Sequence, residues 1–396
     1  MSDVLKPMKL PGRLHCGIWL SVMIAIAAIS ATFSSAATLD DFWEGQAHFR
    51  QIANLEWSDF PGQSDEQAGW FVVHEGSWYV FNRAYLKNKP EQCPHDYTRI
   101  VARESRDKGF TWSPPTILIE PRTSLSGDEC AITDGSSFYD ASTGIWHIVA
   151  QCLSQNTSSE WSLCHYSRKA KSPLGSFVPD RNNPVVKGGD LWRRICAGRD
   201  KSCPLTTQDE GTPEILEKKD DRFTITMHGY DPVSRHGFRG VVATADFKQW
   251  ATSGDDLPND AIFGPQDCSA WLSGCVGTGA ATTSFTRDYV YMIGELMNKG
   301  LTCQTDQHWV FEMFRYPRGR WPRAGEKIWE KQPGKILIEP SWPDAKTLCQ
   351  LQYARLLSDR GDIYLVYEDW KPGRKGIARR LLKLVAGQGP PIDRIN

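Results

Sequence analysis

Short runs of apolar and aromatic residues, each set off by a polar turn, recur along this chain. "HEGSWYVFNRA" (74–84), "ASTGIWHIVAQC" (141–152), "KKDDRFTITMHG" (218–229), "FTRDYVYMIGE" (285–295) and "SDRGDIYLVYED" (358–369) share one layout. Each has a turn rich in Gly, Asp or Asn-type residues, then an aromatic or β-branched strand, then polar residues. The anchors Trp78, Trp146, Phe223, Tyr289 and Ile363 stand about 70 residues apart, which is a repeat period. A closing aromatic follows each of the first four anchors: Trp112, Phe177, Trp250 and Trp321. Each unit therefore predicts four short antiparallel strands, the pattern of a propeller blade. Long helical periodicity is absent. The expected fold is all-β, a five-bladed β-propeller in one domain over residues 37–396. A β-sandwich or two separate β domains is the alternative.

In a propeller the innermost strand of every blade runs along the central axis. Residues just before those strands meet at one mouth of the funnel, however distant in sequence. The first unit places Asp65 and Glu66 there, the second Asp128, Glu129 and Asp134, and the third Asp209, Glu210 and Glu214. The fourth, "CVGTGAATT", has no acid, and the fifth offers Gln350, Gln352 and Arg355. Opposed carboxyl groups are what glycoside hydrolysis needs: one ionised as base or nucleophile, one kept protonated as acid. A third tunes or orients the acid. The plain alternative is that these are surface turn acids. Where second strands end, Asn82, Arg83, Gln151, His228, Asp231, Glu295, Glu368 and Asp369 are candidate sugar-hydroxyl ligands, and Trp192, Trp271 and Trp342 candidate stacking platforms. His228 reads equally well as a core histidine.

Charge narrows the partners. A net charge of −1 over 396 residues gives no electrostatic footprint for nucleic acid. A monomer is expected. The N-terminus reads as a secretory signal over residues 1–36: Lys6, Lys9 and Arg13, then the apolar run "GIWLSVMIAIAAI" (17–29), then "SSA" (34–36). That predicts a secreted or periplasmic protein with no membrane attachment after cleavage; an uncleaved anchor is the rival. Cys16 falls in the signal, and the other ten cysteines predict five disulfides. Cys152/Cys164, Cys196/Cys203 and Cys268/Cys275 are the expected short-range pairs. The absence of any C-x-x-C pair argues against zinc. "NTS" (156–158) is a glycosylation sequon.

The chain resembles the five-bladed propeller glycosidases: arabinanases, β-xylosidases and arabinofuranosidases, with the related invertases and levansucrases. "AITDGSSFYD" (131–140) is similar to their second-blade strand, "DEGTPEI" (209–215) to their third-blade motif, "EGSWYVF" to the second strand of their first blade, and "VVATADFKQW" to their recurrent segment of Ser or Thr, Asp and then Trp. The resemblance implies Asp65 as general base, Asp134 as tuner of the acid and Glu210 as general acid, with inversion of configuration by a water. Glu210 stands three residues before Pro213 where the family has two, so Asp209 and Glu214 are rivals; Glu66 is one for Asp65. The substrate-binding set would be Asn82, Arg83, Gln151, His228, Glu295, Arg355 and Glu368. The fourth unit lacks the histidine with which the family often holds a central ion, so neither cofactor nor calcium is indicated. "SRDKGFTW" (105–112) matches the Asp-box of sialidase-type propellers, a folding element. The expected function is a secreted glycoside hydrolase acting on an oligo- or polysaccharide that contains furanosides or pentoses. A sialidase-like exo-glycosidase, a non-catalytic carbohydrate-binding propeller and a structural propeller that binds proteins are the alternatives.

Overall fold

The structure is a computed structural model. It describes residues 36–57, 63–93, 96–122, 130–154, 160–269, 274–298, 308–333, 350–370 and 377–388. The compact unit that begins at Ala37 is a five-bladed β-propeller. Blade 1 runs through Gln63–His74, Ser77–Leu86, Thr98–Ser105 and Thr116–Ile119, and blade 2 through Ala131–Asp140, Ile145–Leu153, Ser162–Lys169 and Val178–Pro179. Blade 3 runs through Gln208–Lys219, Arg222–Asp231, His236–Thr244 and Trp250–Ala251, and blade 4 through Cys275–Phe285, Tyr289–Asn298, His308–Pro317 and Glu330–Lys331. Blade 5 comprises Gln350–Asp359, Asp362–Trp370 and Ile377–Ala386, and its outer strand is the N-terminal Ala47–Leu55, antiparallel to Ile377–Ala386. This ring closure ties the two ends of the propeller together. No periodic signal marks Ala47–Leu55, which belongs to the fifth repeat in space and precedes the first in sequence.

Each aromatic anchor opens the second strand of its blade, and local chemistry explains why. Glu75-Gly76, Asp220-Asp221 and Arg360-Gly361 all have positive φ and connect inner to second strand in two residues. That is the primed turn whose twist suits a hairpin. In the Asp-box, Asp107 accepts from the Thr111 N–H at 2.8 Å and the Thr111 hydroxyl at 2.6 Å. Trp112 then packs against Trp57 and Phe71.

Burial follows the blade seams. Trp78, Tyr364, Val366 and Leu381 fill the seam between blades 5 and 1. Trp70, Phe81, Ile132 and Trp146 fill the next, and similar clusters lie in the other three. The Trp78 indole N–H reaches across to Asp359 at 3.0 Å, and that of Trp70 to Ser137 at 3.1 Å. A fully buried aromatic side chain contributes roughly 3 kcal/mol, so these seams carry the ring. At the seam of blades 3 and 4 the strands touch backbone to backbone: a Cβ on Gly277 would collide with Gly237.

Four disulfides are present among the described residues: Cys93–Cys130, Cys152–Cys164, Cys196–Cys203 and Cys268–Cys275. The last three are the expected pairs. Cys303 and Cys349, like Trp271, Trp342, Asp128, Glu129 and the sequon, lie outside the described residues.

Candidate active site

All five inner strands lose their regular alternation near one mouth of the funnel. Register shifts fall at Gln67/Trp70, Ile132/Gly135, Gln208/Gly211/Glu214, Thr278/Ala281 and Gln352/Arg355. A bulge adds a residue and re-aims the side chains around it. Three non-glycine residues at these shifts have left-handed backbones: Asp209 (φ 69°), Thr212 (φ 36°) and Tyr353 (φ 56°). Such strain costs about 1–3 kcal/mol per residue and concentrates at functional sites. The acids lie inside the strands, not just before them, because the strands begin earlier than the sequence pattern suggests.

The re-aimed side chains enclose a cavity of about 350 Å³. Its wall includes Asp134 from blade 2, Asp209 and His228 from blade 3, Glu295 and Trp309 from blade 4 and Tyr353 from blade 5. Gln151, Trp161, Thr212, Tyr230 and Gln352 complete the polar and aromatic lining.

Burial sets the protonation of this wall. The Asp209 carboxyl is pushed up to about 6, although the Trp161 N–H bonds its Oδ1 at 3.0 Å. Glu295 is pushed up to about 7 by burial, with the Asp134 charge adding to the shift and the Tyr353 N–H and Arg355 opposing it. Asp134 is also raised by burial, but among the described residues it alone of the three touches a cation: Arg83 Nη1 lies 3.1 Å from its Oδ1. His228 is held neutral, its pKa lowered to about 3 by burial and by Arg239. Burial raises both carboxyls, and a guanidinium beside Asp134 favours its charged form while Glu295 has none beside it among the described residues.

Trp309 adds a donor. Its indole nitrogen is buried and has no hydrogen-bond partner among the described residues. Gly279 makes room for it, since a Cβ there would lie 2.7 Å from the indole ring and 3.3 Å from Glu295 Oε2.

Of the residues singled out from sequence, Asp134, Gln151, His228 and Glu295 share this wall. Gln151 Oε1 accepts from the Thr212 N–H at 2.6 Å. Arg83 stands behind Asp134 and also reaches Gln67 Oε1 at 2.9 Å. Glu210 is turned away from the cavity: it is fully buried and accepts from the backbone N–H groups of Gly189 (2.5 Å) and Leu191 (2.9 Å). Glu214 lies deeper along the axis, bonded to the Thr283 N–H at 3.1 Å and the Thr282 hydroxyl at 3.2 Å. Arg355 donates to the Ala281 carbonyl at 3.2 Å, and Glu368 pairs with Arg379 at 3.2 Å, so neither lines the wall. Asn82 is fully buried against the bulge at Gly69, its amide atoms without hydrogen-bond partners among the described residues. Asp231 caps its own turn through Ser234. Asp65 lies on the inner strand of blade 1 opposite Tyr85, but its side chain is outside the described residues. Glu66 is committed to Arg103. Trp192 is not a platform: it is fully buried and its indole N–H bonds the carbonyls of Asp209 and His228.

The sequence reading misses Trp161, Trp309 and Tyr353. A signal for the tryptophans exists, because Trp161 immediately precedes the third strand of blade 2 and Trp309 is the second residue of the third strand of blade 4. Among the described residues no group of three or more His, Cys, Asp or Glu is arranged to hold a metal ion.

No protein-family model matches the sequence, and no curated protein matches it. Solved structures match its fold. A structure of BT0996 in an RGII complex aligns with TM-score 0.58 at 10% identity, covering 89% of this protein and 95% of that one. Zg3597, a family 117 glycoside hydrolase from Zobellia galactanivorans, aligns at 0.53 and 10% identity over 86% and 91%. The endo-arabinase from Bacteroides thetaiotaomicron aligns at 0.53 and 12% identity over 83% and 97%. At these identities the likeness shows the shared five-bladed fold.

Proposed function

We propose that this protein is a glycoside hydrolase whose active site is the cavity walled by Asp134, Asp209 and Glu295. The observation that carries the reading is the split environment of two carboxyls on one cavity wall: Asp134 beside Arg83, and Glu295 pushed up to about 7. Asp134 is the ionised partner that activates water or stabilises the developing positive charge. Glu295 delivers a proton to the leaving oxygen. A second reading makes Asp209 the donor. It is favoured by its place on the wall at a pKa of about 6 with only Oδ1 bonded to a backbone N–H. Glu210, the acid implied by resemblance, serves this site indirectly through the segment it anchors.

The substrate is an uncharged sugar. Among the described residues the lining holds three carboxylic acids and neither arginine nor lysine, so a carboxylated sugar meets like charge. That disfavours a sialidase-like activity. Trp161, Trp309 and Tyr353 offer aromatic faces to a sugar ring. The likeness to the endo-arabinase, with one to the β-xylosidase RS223 (TM-score 0.52, 10% identity), supports an arabinose- or xylose-containing oligo- or polysaccharide as the first class to test, with furanosides ahead of pyranosides. Inversion by a water between Asp134 and the sugar belongs to the same proposal. So does export: four disulfides favour an oxidising compartment, and residues 1–36 are its signal. The chain acts as a monomer.

The test uses aryl glycosides with good and poor leaving groups beside the natural polysaccharides. If Glu295 is the acid, Glu295→Gln loses about 10²-fold in kcat on poor leaving groups and far less on activated ones. The same pattern in Asp209→Asn, with Glu295→Gln near parent, moves the role to Asp209. A folded parent that binds these glycans and cleaves none is a carbohydrate-binding propeller instead.

A further inference from the structure

Tyr353 is a bulky residue held in a left-handed backbone conformation (φ 56°) at the register shift of blade 5's inner strand. Glycine is the usual occupant of such a position, and an aromatic persists there only when its surroundings fix it. Two sets of contacts do so. Its N–H donates to Glu295 Oε1. Its hydroxyl accepts from Arg83 Nη2 at 3.2 Å. Nη1 of the same guanidinium lies 3.1 Å from Asp134 Oδ1, so the hydroxyl meets Asp134 through Arg83. The Arg83 guanidinium also lies 5.7 Å from the Tyr353 ring centroid.

We propose that Tyr353 is a positioning residue that fixes both carboxyl groups of the cavity at once, Glu295 through its backbone N–H and Asp134 through the Arg83 guanidinium that its hydroxyl holds. The charged groups around the hydroxyl are Arg83, Asp134, Glu295 and Glu368; Arg355 and Asp96 act on Asp134 from further strands and loops. The strained backbone is what lets one residue face both. In extended conformation its N–H would point into the sheet ladder and away from Glu295. Only the kinetic arm of the test rests on the hydrolase reading.

The variant is Tyr353→Phe in the full chain, which keeps ring and backbone and removes the hydroxyl. The first measurement needs no activity: ¹³C NMR titration of aspartate-labelled protein, with the Asp134 carboxyl assigned from Asp134→Asn. The Asp134 midpoint should rise by about one pH unit. An unchanged midpoint overturns the proposal. In the kinetic arm, kcat falls at least about tenfold with KM within about threefold of parent, and the acid limb of the kcat/KM profile moves up with Asp134. Superimposable profiles overturn it. If the parent cleaves no glycan while the midpoint still moves, the hydrolase reading fails and the positioning role stands. If the parent is active and the midpoint is fixed, the reverse holds. Should Tyr353→Phe fail to fold, 3-fluorotyrosine at position 353 weakens the hydroxyl as an acceptor from Arg83 and must move the midpoint up; an unchanged midpoint overturns the proposal.

Discussion

Blades 1 and 3 each begin their inner strand with an Asp-Glu doublet, Asp65-Glu66 and Asp209-Glu210. In both the glutamate is fully buried, but by opposite means. Glu66 meets Arg103 in a two-pronged ion pair at 2.6 and 2.7 Å, with the Trp57 indole N–H at 3.1 Å. Glu210 meets two backbone N–H groups, and burial still pushes its pKa up to about 8. The first arrangement neutralises a charge and locks blade 1 as scaffold. The second keeps a carboxyl able to hold a proton beside the cavity, with Asp209 next to it also raised. An identical dipeptide therefore carries different chemistry, set by whether an arginine or a backbone turn packs over it.

Breaking the blade 1 pair gives the largest effect. Arg103→Ala leaves Glu66 buried and uncompensated, and should cost about 3–5 kcal/mol in denaturant unfolding at pH 7. The double change Glu66→Gln with Arg103→Met recovers much of that loss. If Arg103→Ala alone is mild, Glu66 is not held as the geometry implies.

Glu210→Gln sharpens the contrast. A carboxyl raised from the 4.5 reference to about 8 binds a proton more readily folded than unfolded. Its contribution is fully present below pH 4.5 and is lost as pH rises through about 8, at most roughly 1.4 kcal/mol per unit. The variant should therefore gain on the parent steadily between those limits, reaching a few kcal/mol near pH 8. A pH-independent difference between the two proteins contradicts this account of Glu210. Turnover of Glu210→Gln should stay within about tenfold of parent at pH 6, because the side chain faces away from the cavity.

A smaller effect of opposite sign lies at the seam of blades 2 and 3. His147 Nδ1 is 3.0 Å from His165 Nε2, and both rings stack on Phe247. Burial lowers both to about 4, and Asp180, 3.4 Å from His165, opposes the shift there. Neutral rings stabilise the fold fully above pH 6.5, and that stability is lost as pH falls toward 4. His147→Phe should flatten the acid limb of a melting-temperature profile; an unaltered limb counts against the buried neutral pair.

Much of the ring was legible in the sequence. Aromatic anchors, tight Gly and Asp turns and the Asp-box are local signals, and each structure they predict forms within a few residues. Ala47–Leu55 was not legible, because its partner lies more than three hundred residues away in blade 5. The site was half legible. Carboxylates on inner strands narrowed the search to a few residues, but bulges decide which of two neighbours faces the axis. At Gln208/Gly211 the slip turns Asp209 toward the cavity and Glu210 toward Gly189 and Leu191. A one-residue slip in a strand exchanges its faces, and no propensity in "TTQDEGTPEI" records it. Tyr353 escaped notice for the same reason.

The most direct test of the central claim is release of reducing sugar from arabinose- and xylose-containing glycans by the oxidised, purified chain, beside Asp134→Asn. The account predicts cleavage by the parent and a loss of about 10³-fold in kcat in the variant, with glycan binding and melting temperature kept. Equal turnover in the two proteins contradicts it.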